Sequence, residues 1–279
     1  MMTNSIIIMA AGASSRMKKS AAPSELNRKH LKNSNLKSKV LLEFGSNSRP
    51  FLSYLIENII ESGFQNIYIV TSENAIFFRE NFKKVLKIDF KNCKINFSIQ
   101  YVPKKMKKPI GTADAILQTI EQFPNLKSES FCVCNGDNIY SIESLKKIKF
   151  VDANFAFVAY DRNGLNFPKE RILAFSVIKL DSKNNILDII EKPKDLIDTY
   201  IDTDGKIRVN MNLLKFSSKI SYNYFKNCPT NKERNEKEIT DVLKMLILSK
   251  EKVVGIPVFD KVYDLTSKKD IIKIEKILK

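Results

Sequence analysis

The residues Ser5-Ile-Ile-Ile-Met-Ala10, with Ala11-Gly-Ala-Ser-Ser-Arg16 directly after them, decide the fold class. An apolar run without polar alternation is typical of a parallel strand that is covered on both faces. Small residues at the end of such a strand let a ligand approach the backbone, and the backbone N–H groups there can bind anions. A tight turn with a purely structural role explains the small residues too, and on small residues alone it is the more common case.

Strand and helix patterns alternate through the rest of the first half. Pro50 begins a stretch of apolar residues at helical spacing, which Gly63 ends. Further strands are predicted at 66–71, 95–102 and 130–134, and helices at about 73–85 and 112–123, the last capped by Thr112. Repeated strand–helix–strand units imply a parallel sheet with right-handed crossovers.

The second half contains more strands than helices. Strands are predicted at 154–160, 172–180, 186–191 and 253–258, and helices at 238–249 and 267–278. Ser267 and Asp270 have the spacing of a capping box. The long polar segment Lys18–Ser38 is expected to be a mobile loop. We therefore predict a three-layer α/β fold of Rossmann-like type, with a mixed, mostly parallel sheet and a smaller β-rich subdomain from about residue 150.

The composition is that of a folded, reduced protein. Of the 279 residues 43% are hydrophobic, which excludes wholesale disorder. No stretch approaches 18 consecutive apolar residues, so no transmembrane helix is expected, and Ile6–Met9 lacks the flanking residues of a signal peptide. The four cysteines have no C-x-x-C spacing, and Cys132 and Cys134 should face the same side of one strand. We expect a cytoplasmic protein.

The net charge of +16 has three explanations: a nucleic-acid binder, a binder of small polyanions, or a solvated lysine-rich surface. The charge is spread along the chain, and no basic motif interleaved with aromatic residues is present, so we expect neither nucleic acid nor membrane as a partner. Arg16–Lys39 nevertheless contains eight basic residues and one acid. This segment is therefore locally positive.

Two more predicted strands end in residues that can bind ligands, as the carboxyl ends of parallel strands often do. Asp137 follows a buried strand, where a carboxylate needs a partner; a magnesium site and an Asx turn explain it equally well. Glu191-Lys192-Pro193 follows another strand. Lys192 can reach a phosphate, although a single lysine of a basic protein is more often a surface residue.

Taken together, seven segments in this order resemble the sugar-1-phosphate nucleotidylyltransferases, which include glucose-1-phosphate thymidylyl- and uridylyltransferases. The segments are Met9-Ala-Ala-Gly12 with Ser14-Ser-Arg16-Met17; Ser38-Lys39-Val-Leu-Leu42 followed by Arg49-Pro50; Pro109-Ile-Gly-Thr-Ala-Asp-Ala-Ile116; Asn135-Gly-Asp-Asn138; Ile190-Glu-Lys-Pro193; Lys237-Glu-Ile-Thr-Asp241; and Tyr263-Asp-Leu-Thr-Ser267. The resemblance spans nearly the whole chain. It implies a single domain, 1–279, with a nucleotide-binding half at 1–150 and an acceptor-binding half at 151–279.

The resemblance also implies a role for each site residue. Arg16 and Lys39 would neutralise the triphosphate, Asp137 and Asp264 would hold Mg²⁺, and Lys192 would bind the acceptor phosphate. Of these, Arg16, Lys39, Asp137 and Lys192 are the catalytic candidates. The remaining candidates divide into nucleotide-binding residues, namely Ala10, Ala11, Gly12, Gly111 and Thr112, and acceptor-binding residues, namely Glu191, Ser176 and Asn210.

The implied reaction joins a nucleoside triphosphate, with UTP or dTTP favoured, to a sugar 1-phosphate, and releases pyrophosphate. A base-reading glutamine often stands a few residues before the Gly-Thr element in this family, and the nearest candidate here is Gln100, eleven residues before Gly111. The alternatives are a CTP-dependent enzyme that acts on a non-sugar phosphate such as phosphocholine, and a catalytically silent regulatory homologue. Relatives are commonly dimers or tetramers, so a homo-oligomer is one option.

Overall fold

The computed structural model describes residues 3–104, 106, 108–231 and 235–278. The strands are β1 Ser5–Met9, β2 Glu43–Phe44, β3 Arg49–Pro50, β4 Asn66–Ser72, β5 Lys94–Gln100, β6 Ser130–Asn135, β7 Asn138–Ile139, β8 Phe155–Asp161, β9 Ser176–Leu180, β10 Ile186–Glu191, β11 Arg208–Ser217, β12 Val253–Val258 and β13 Tyr263–Asp264. The α-helices are α1 Ser15–Lys19, α2 Arg28–Leu36, α3 Phe51–Glu61, α4 Ile76–Leu86, α5 Thr112–Gln122, α6 Ile142–Phe150, α7 Arg162–Leu165, α8 Lys169–Ile172, α9 Ser218–Lys226, α10 Ile239–Leu248 and α11 Lys268–Ile277. Short 3-10 helices lie at Lys39–Leu41, Pro124–Lys127 and Lys194–Tyr200. No helix in these ranges is long and apolar enough to cross a membrane.

A nine-stranded sheet forms the centre of the fold. Along its main path the strand order is β10-β9-β11-β6-β1-β4-β5, and β8 and β12 follow on the other edge of β11. The strands β1, β4, β5 and β6 are mutually parallel. Since β11 is antiparallel to β6, β8 and β9, these strands and β12 point the same way as β1, and only β10 and β11 oppose them. The predicted mixed, mostly parallel sheet is confirmed.

Each face of this sheet is covered by helices. In β1, Ile6 and Ile8 pack with α3, α6 and α11, whereas Ile7 packs on the opposite face with α5, α9 and α10. All three isoleucines are fully buried, as a strand covered on both faces requires. Cys132 and Cys134 both lie on the Ile6 side, as their spacing predicted. The three-layer arrangement follows from these two apolar cores.

The strand β11 links the two halves of the chain within one sheet. It pairs with β6 from the first half and with β8 and β9 from the second. A second link is the short pair β7–β13, in which Asp264 lies opposite Asn138. Sequence reasoning did not predict β11, because polar residues such as Asn210 and Lys215 interrupt its apolar pattern although both are buried.

The expectation that Lys18–Ser38 is a loop throughout is wrong, because the segment contains α2. The Asn27 side chain accepts a hydrogen bond from the His30 N–H at 2.8 Å and caps this helix. His30 and Ser34 are buried, and the His30 Nε2 atom lies 2.8 Å from the Glu43 carbonyl oxygen. The buried face of α2 is thus partly polar, and for this reason apolar periodicity did not predict the helix.

Two predicted boundaries also need correction. Gly111, and not Thr112, occupies the N-cap of α5, and the Thr112 hydroxyl instead donates to the Glu238 carboxylate at 2.8 Å. The strand predicted at 172–180 begins only at Ser176, because α8 occupies Lys169–Ile172 directly after Pro168. The capping box formed by Ser267 and Asp270 is confirmed at the start of α11.

Candidate active site

One cavity of about 690 Å³ opens where β1 and β6 end. Its walls come from the loops after these two strands, from the start of α5, from β9, from the ends of β10 and β13, and from the middle of β11. The structure brings every residue of the predicted site to this cavity: Ala10, Ala11, Gly12, Arg16, Lys39, Gly111, Thr112, Asp137, Ser176, Glu191, Lys192, Asn210 and Asp264.

The loop after β1 is open towards the cavity at Gly12 and fixed at Ser14. A Cβ atom added to Gly12 would meet no atom within 4 Å. Ser14 has a left-handed backbone, with φ of 57°, and its Oγ atom accepts a hydrogen bond at 3.0 Å from the N–H of Lys39, 25 residues away. This contact brings the segment that carries Lys39 to the end of β1.

The loop after β6 lies against the same strand end. The N–H of Gly136 donates to the Met9 carbonyl at 3.0 Å, and a Cβ atom at Gly136 would lie only 3.0 Å from that oxygen. A larger residue would separate the two loops. The next residue, Asp137, forms an ion pair with the Lys39 ammonium group, and both side chains are largely buried.

Asp137 and Asp264 lie close together although 127 positions separate them in the chain. The pairing of β7 with β13 and a 2.9 Å hydrogen bond from the Leu265 N–H to the Asp137 carbonyl join their segments. Burial raises the pKa of the Asp264 carboxyl, and the negative charge of Asp137 raises it further, while Arg171 and Lys39 act in the opposite direction. Each of the two carboxylates therefore has a cationic partner in the structure, Lys39 for Asp137 and Arg171 for Asp264.

Glu191 and Lys192 form the wall at the end of β10. The Thr240 hydroxyl donates to the Glu191 carboxylate. Lys192 has a left-handed backbone, with φ of 51°, and its N–H donates to the Phe175 carbonyl at 3.2 Å. Ser176 lies between the two neighbouring strands, opposite Glu191 of β10 and Asn210 of β11.

Sequence reasoning missed several charged residues of this region, among them Arg171 and Glu238; Lys108 and Glu236 also line the cavity. Arg171, from α8, forms an ion pair with Asp264, and no motif pointed to it. Glu238 lies at the cavity wall, where burial raises the pKa of its carboxyl to about 7 and a hydrogen bond with Glu236 adds to the rise. Glu238 lies within Lys237–Asp241, one of the seven segments that carry the family resemblance, so the resemblance could have pointed to it.

Gln100 is buried at the end of β5 and also lines the cavity. Its Nε2 atom donates to the Gly111 carbonyl at 2.9 Å and to the Asp114 carboxylate at 3.2 Å. The amide nitrogen is therefore engaged by α5, which leaves the amide oxygen as the group that can accept a hydrogen bond from a ligand.

Comparisons with known proteins agree on one family. The sequence model described as nucleotidyl transferase matches residues 34–278. The bifunctional protein GlmU of Methanocaldococcus jannaschii is 30% identical over 82% of this chain and 47% of its own length. The glucose-1-phosphate adenylyltransferases of Trichlorobacter lovleyi and Francisella tularensis subsp. novicida are 28% and 24% identical over 57% and 76% of this chain. These matches cover 38% and 50% of the two proteins, so the chain spans half or less of the curated relatives that it matches.

The fold is similar to that of a solved structure, UDP-glucose pyrophosphorylase complexed with UDP-glucose. The TM-score is 0.70 with 18% sequence identity, and the match covers 99% of this chain and 98% of that one. At this identity the likeness concerns the fold. It confirms the α/β arrangement predicted from the sequence.

Proposed function

The chain belongs to the nucleotidyl transferase family, and we propose that it transfers a nucleotidyl group from a nucleoside triphosphate to a sugar 1-phosphate. The membership confirms the resemblance that the motifs indicated. One observation carries the proposal: a single cavity contains cations from three separate segments, Arg16, Lys39 and Lys192, together with the carboxylates of Asp137 and Asp264.

This set of residues suits a reaction between two polyanions. An acceptor phosphate oxygen attacks the α-phosphorus, the bond from that phosphorus to the bridging oxygen breaks, and pyrophosphate leaves with the bonding electrons. A phosphate monoester is already nucleophilic at neutral pH, so no general base is required. The protein has to bring the reactants together and offset their negative charge, which Arg16 and Lys39 would do for the triphosphate and Lys192 for the acceptor.

The two aspartates fit a divalent cation that is shared with the substrates. Within the described residues no group of three or more His, Cys, Asp or Glu side chains could hold a metal ion. Mg²⁺, however, is commonly bound by one or two carboxylates together with substrate phosphates and water. The negative charge of Asp137 raises the pKa of the Asp264 carboxyl, and a divalent cation bound by both carboxylates would offset this repulsion. When bound, Mg²⁺ would supply positive charge at the α-phosphate.

The nucleotide would lie against Ala10, Ala11, Gly12, Gly111 and Thr112, with its base near Gln100. We favour UTP or dTTP, and the support is that the similar solved structure holds UDP-glucose. Most of the similar curated proteins are named glucose-1-phosphate adenylyltransferase, so ATP belongs in every test. At the acceptor end, the Glu191 carboxylate would accept hydrogen bonds from sugar hydroxyls. The side chains of Ser176 and Asn210 would donate hydrogen bonds to these hydroxyls or accept them.

The test is pyrophosphate release by the purified protein with Mg²⁺, with each nucleoside triphosphate paired with each of a panel of phosphorylated acceptors, phosphocholine included. Asp137→Ala is measured in parallel, with Asp89→Ala as the control because Asp89 is exposed and lies outside the cavity. We expect release with one nucleotide–acceptor pair, lost in Asp137→Ala and retained in Asp89→Ala. A protein that binds no nucleoside triphosphate and releases no pyrophosphate contradicts the proposal and favours a silent homologue.

A further inference from the structure

Arg171 joins two aspartates of the C-terminal region. Its Nη2 atom forms an ion pair with the Oδ2 atom of Asp264, and both Nη1 and Nη2 lie 3.3 Å from the Oδ2 atom of Asp270. The Asp264 side chain is 4% exposed, that of Asp270 12% and that of Arg171 21%. Charge-assisted contacts that are shielded from water to this degree are stronger and more directional than those on a surface.

Asp270 is held in place independently of Arg171. Its Oδ2 atom accepts hydrogen bonds from the Ser267 N–H at 2.6 Å, from the Ser267 hydroxyl at 2.9 Å and from the Thr266 N–H at 3.1 Å. The contact from the Ser267 N–H is part of the capping box that begins α11. Asp270 is therefore a fixed point, and the guanidinium group lies between this fixed point and Asp264.

Among the described residues, Thr266 is the other residue whose side chain donates to the Asp264 carboxylate. The Thr266 hydroxyl lies 3.1 Å from Oδ1 and 3.2 Å from Oδ2, so it does not favour one oxygen over the other. Arg171 contacts Oδ2 alone. The ion pair with Arg171 is therefore the charged contact that holds the carboxylate of Asp264, a residue that lines the cavity.

Arg171 also connects this carboxylate to the acceptor wall, by which we mean the cavity wall formed by Ser176, Glu191 and Lys192. The residues that follow α8 are Ala174, Phe175 and Ser176, which line the cavity. The Arg171 guanidinium carbon lies 6.0 Å from the centre of the Phe175 ring, and the Phe175 carbonyl accepts the hydrogen bond from Lys192. A single side chain thus contacts both the aspartate and the wall that carries Lys192.

We propose that Arg171 is a positioning residue that holds Asp264 in the orientation in which the carboxylate binds a divalent cation together with the triphosphate. The inference rests on the proposed function. Arg171 itself need not touch either substrate. Its removal should weaken the contribution of the metal to nucleotide binding and leave metal-free nucleotide binding unchanged.

The experiment measures the dissociation constants of UTP, dTTP, CTP, ATP and GTP by isothermal titration with and without Mn²⁺. The variants are Arg171→Met, which keeps the length and loses the charge, and Arg171→Lys, which can restore one of the two ion pairs. Arg49→Met is the matched control, because Arg49 forms a bidentate pair with Glu57 at 2.6 and 2.7 Å and lies outside the cavity. Thermal melting shows that each variant is folded.

We expect Mn²⁺ to strengthen triphosphate binding to the wild type, and the strengthening to fall at least tenfold in Arg171→Met, partly in Arg171→Lys and not in Arg49→Met. If Arg171→Met keeps the full strengthening, the positioning role is wrong. If it loses metal-free binding to the same extent as metal-supported binding, the role is also wrong, because a general distortion of the cavity then explains the loss. A wild-type protein that binds no triphosphate under either condition refutes the proposed function instead.

Discussion

Replacement of Gly12 by alanine tests whether the loop after β1 serves nucleotide binding or only the stability of the fold. The added Cβ atom would meet no protein atom within 4 Å, and the φ angle of Gly12 lies outside the left-handed range. Gly12→Ala should therefore change the free energy of unfolding by no more than about 0.5 kcal/mol, as surface substitutions usually do.

Nucleotide binding by the same variant should be weaker. The space beside Gly12 is where we propose that the nucleotide lies, and a methyl group there would overlap a ligand that contacts the backbone. Insertion of an extra methyl group into a packed contact costs about 1–3 kcal/mol, which corresponds to a rise of roughly 5- to 150-fold in the dissociation constant. Isothermal titration with UTP, dTTP, CTP, ATP and GTP measures this change, and urea denaturation measures stability on the same samples.

Gly111→Ala is the contrasting variant. Gly111 has a φ angle of +115°, and a Cβ atom there would lie 2.7 Å from the Lys237 nitrogen and closer still to the Lys237 carbonyl oxygen. The backbone strain alone costs about 1–3 kcal/mol, so this variant should lose stability as well as binding. If Gly12→Ala binds every nucleotide as the wild type does, the nucleotide does not lie against this loop. If Gly12→Ala is as unstable as Gly111→Ala, the loop serves folding and the binding interpretation fails.

Three further predictions concern residues around the cavity and its support. Gln100→Ala should lower kcat/KM for the preferred triphosphate about tenfold, the equivalent of one buried hydrogen bond, and should lower it less for the other triphosphates. An equal loss for all triphosphates in competition assays would contradict a role of Gln100 in base selection. In the wild type, the free energy of unfolding should fall as the pH rises from about 5 to about 8. The folded protein keeps the Glu238 proton up to a pKa of about 7, whereas the unfolded chain releases it near 4.5. Glu238→Gln should make this decrease less steep in urea denaturation, and an unchanged slope would assign the pH dependence to other groups. His30→Ala should destabilise the protein by about 2 kcal/mol, since it removes a buried ring 5.4 Å from that of Phe44 and the hydrogen bond to the Glu43 carbonyl. Unchanged hydrogen exchange in α2 would show that His30 does not anchor this helix.

Residues that follow strongly patterned strands could be found from the sequence. The apolar runs of β1 and β6 predict buried parallel strands, and such strands end at a common edge, so Gly12 and Asp137 could be placed together without a structure. Asp264 could not be placed in this way. The strand that carries it, β13, has two residues, too few for any periodicity, and its proximity to Asp137 was implied only by the family resemblance.

The elements that were not predicted bury polar residues. The helix α2 buries His30 and Ser34, and β11 buries Asn210 and Lys215. The Lys215 ammonium group is satisfied by the Val151 carbonyl at 2.5 Å, a partner 64 residues away. A buried polar residue is tolerated when a distant group completes its hydrogen bonds, and that group cannot be identified from local sequence. The role of Arg171 could not be predicted from local sequence either, because both of its aspartate partners lie more than 90 positions further along the chain.

The cavity wall at which we propose that the acceptor binds contacts the first half of the chain through an irregularity in β11. The register of β11 against β8 shifts between Asn210 and Leu214, and Asn212 within this bulge has a left-handed φ of 56°. The Tyr140 hydroxyl donates to the Met211 carbonyl at 2.6 Å and accepts from the Asn135 N–H at 3.3 Å. The bulge is thus fastened to the loop that carries Asp137. Because of this contact, a change at Tyr140, which lies outside the cavity lining, should alter the acceptor KM through Asn210. Hydrogen bonds of the Tyr140 hydroxyl thus connect the bulge beside Asn210 to a residue of the first half of the chain.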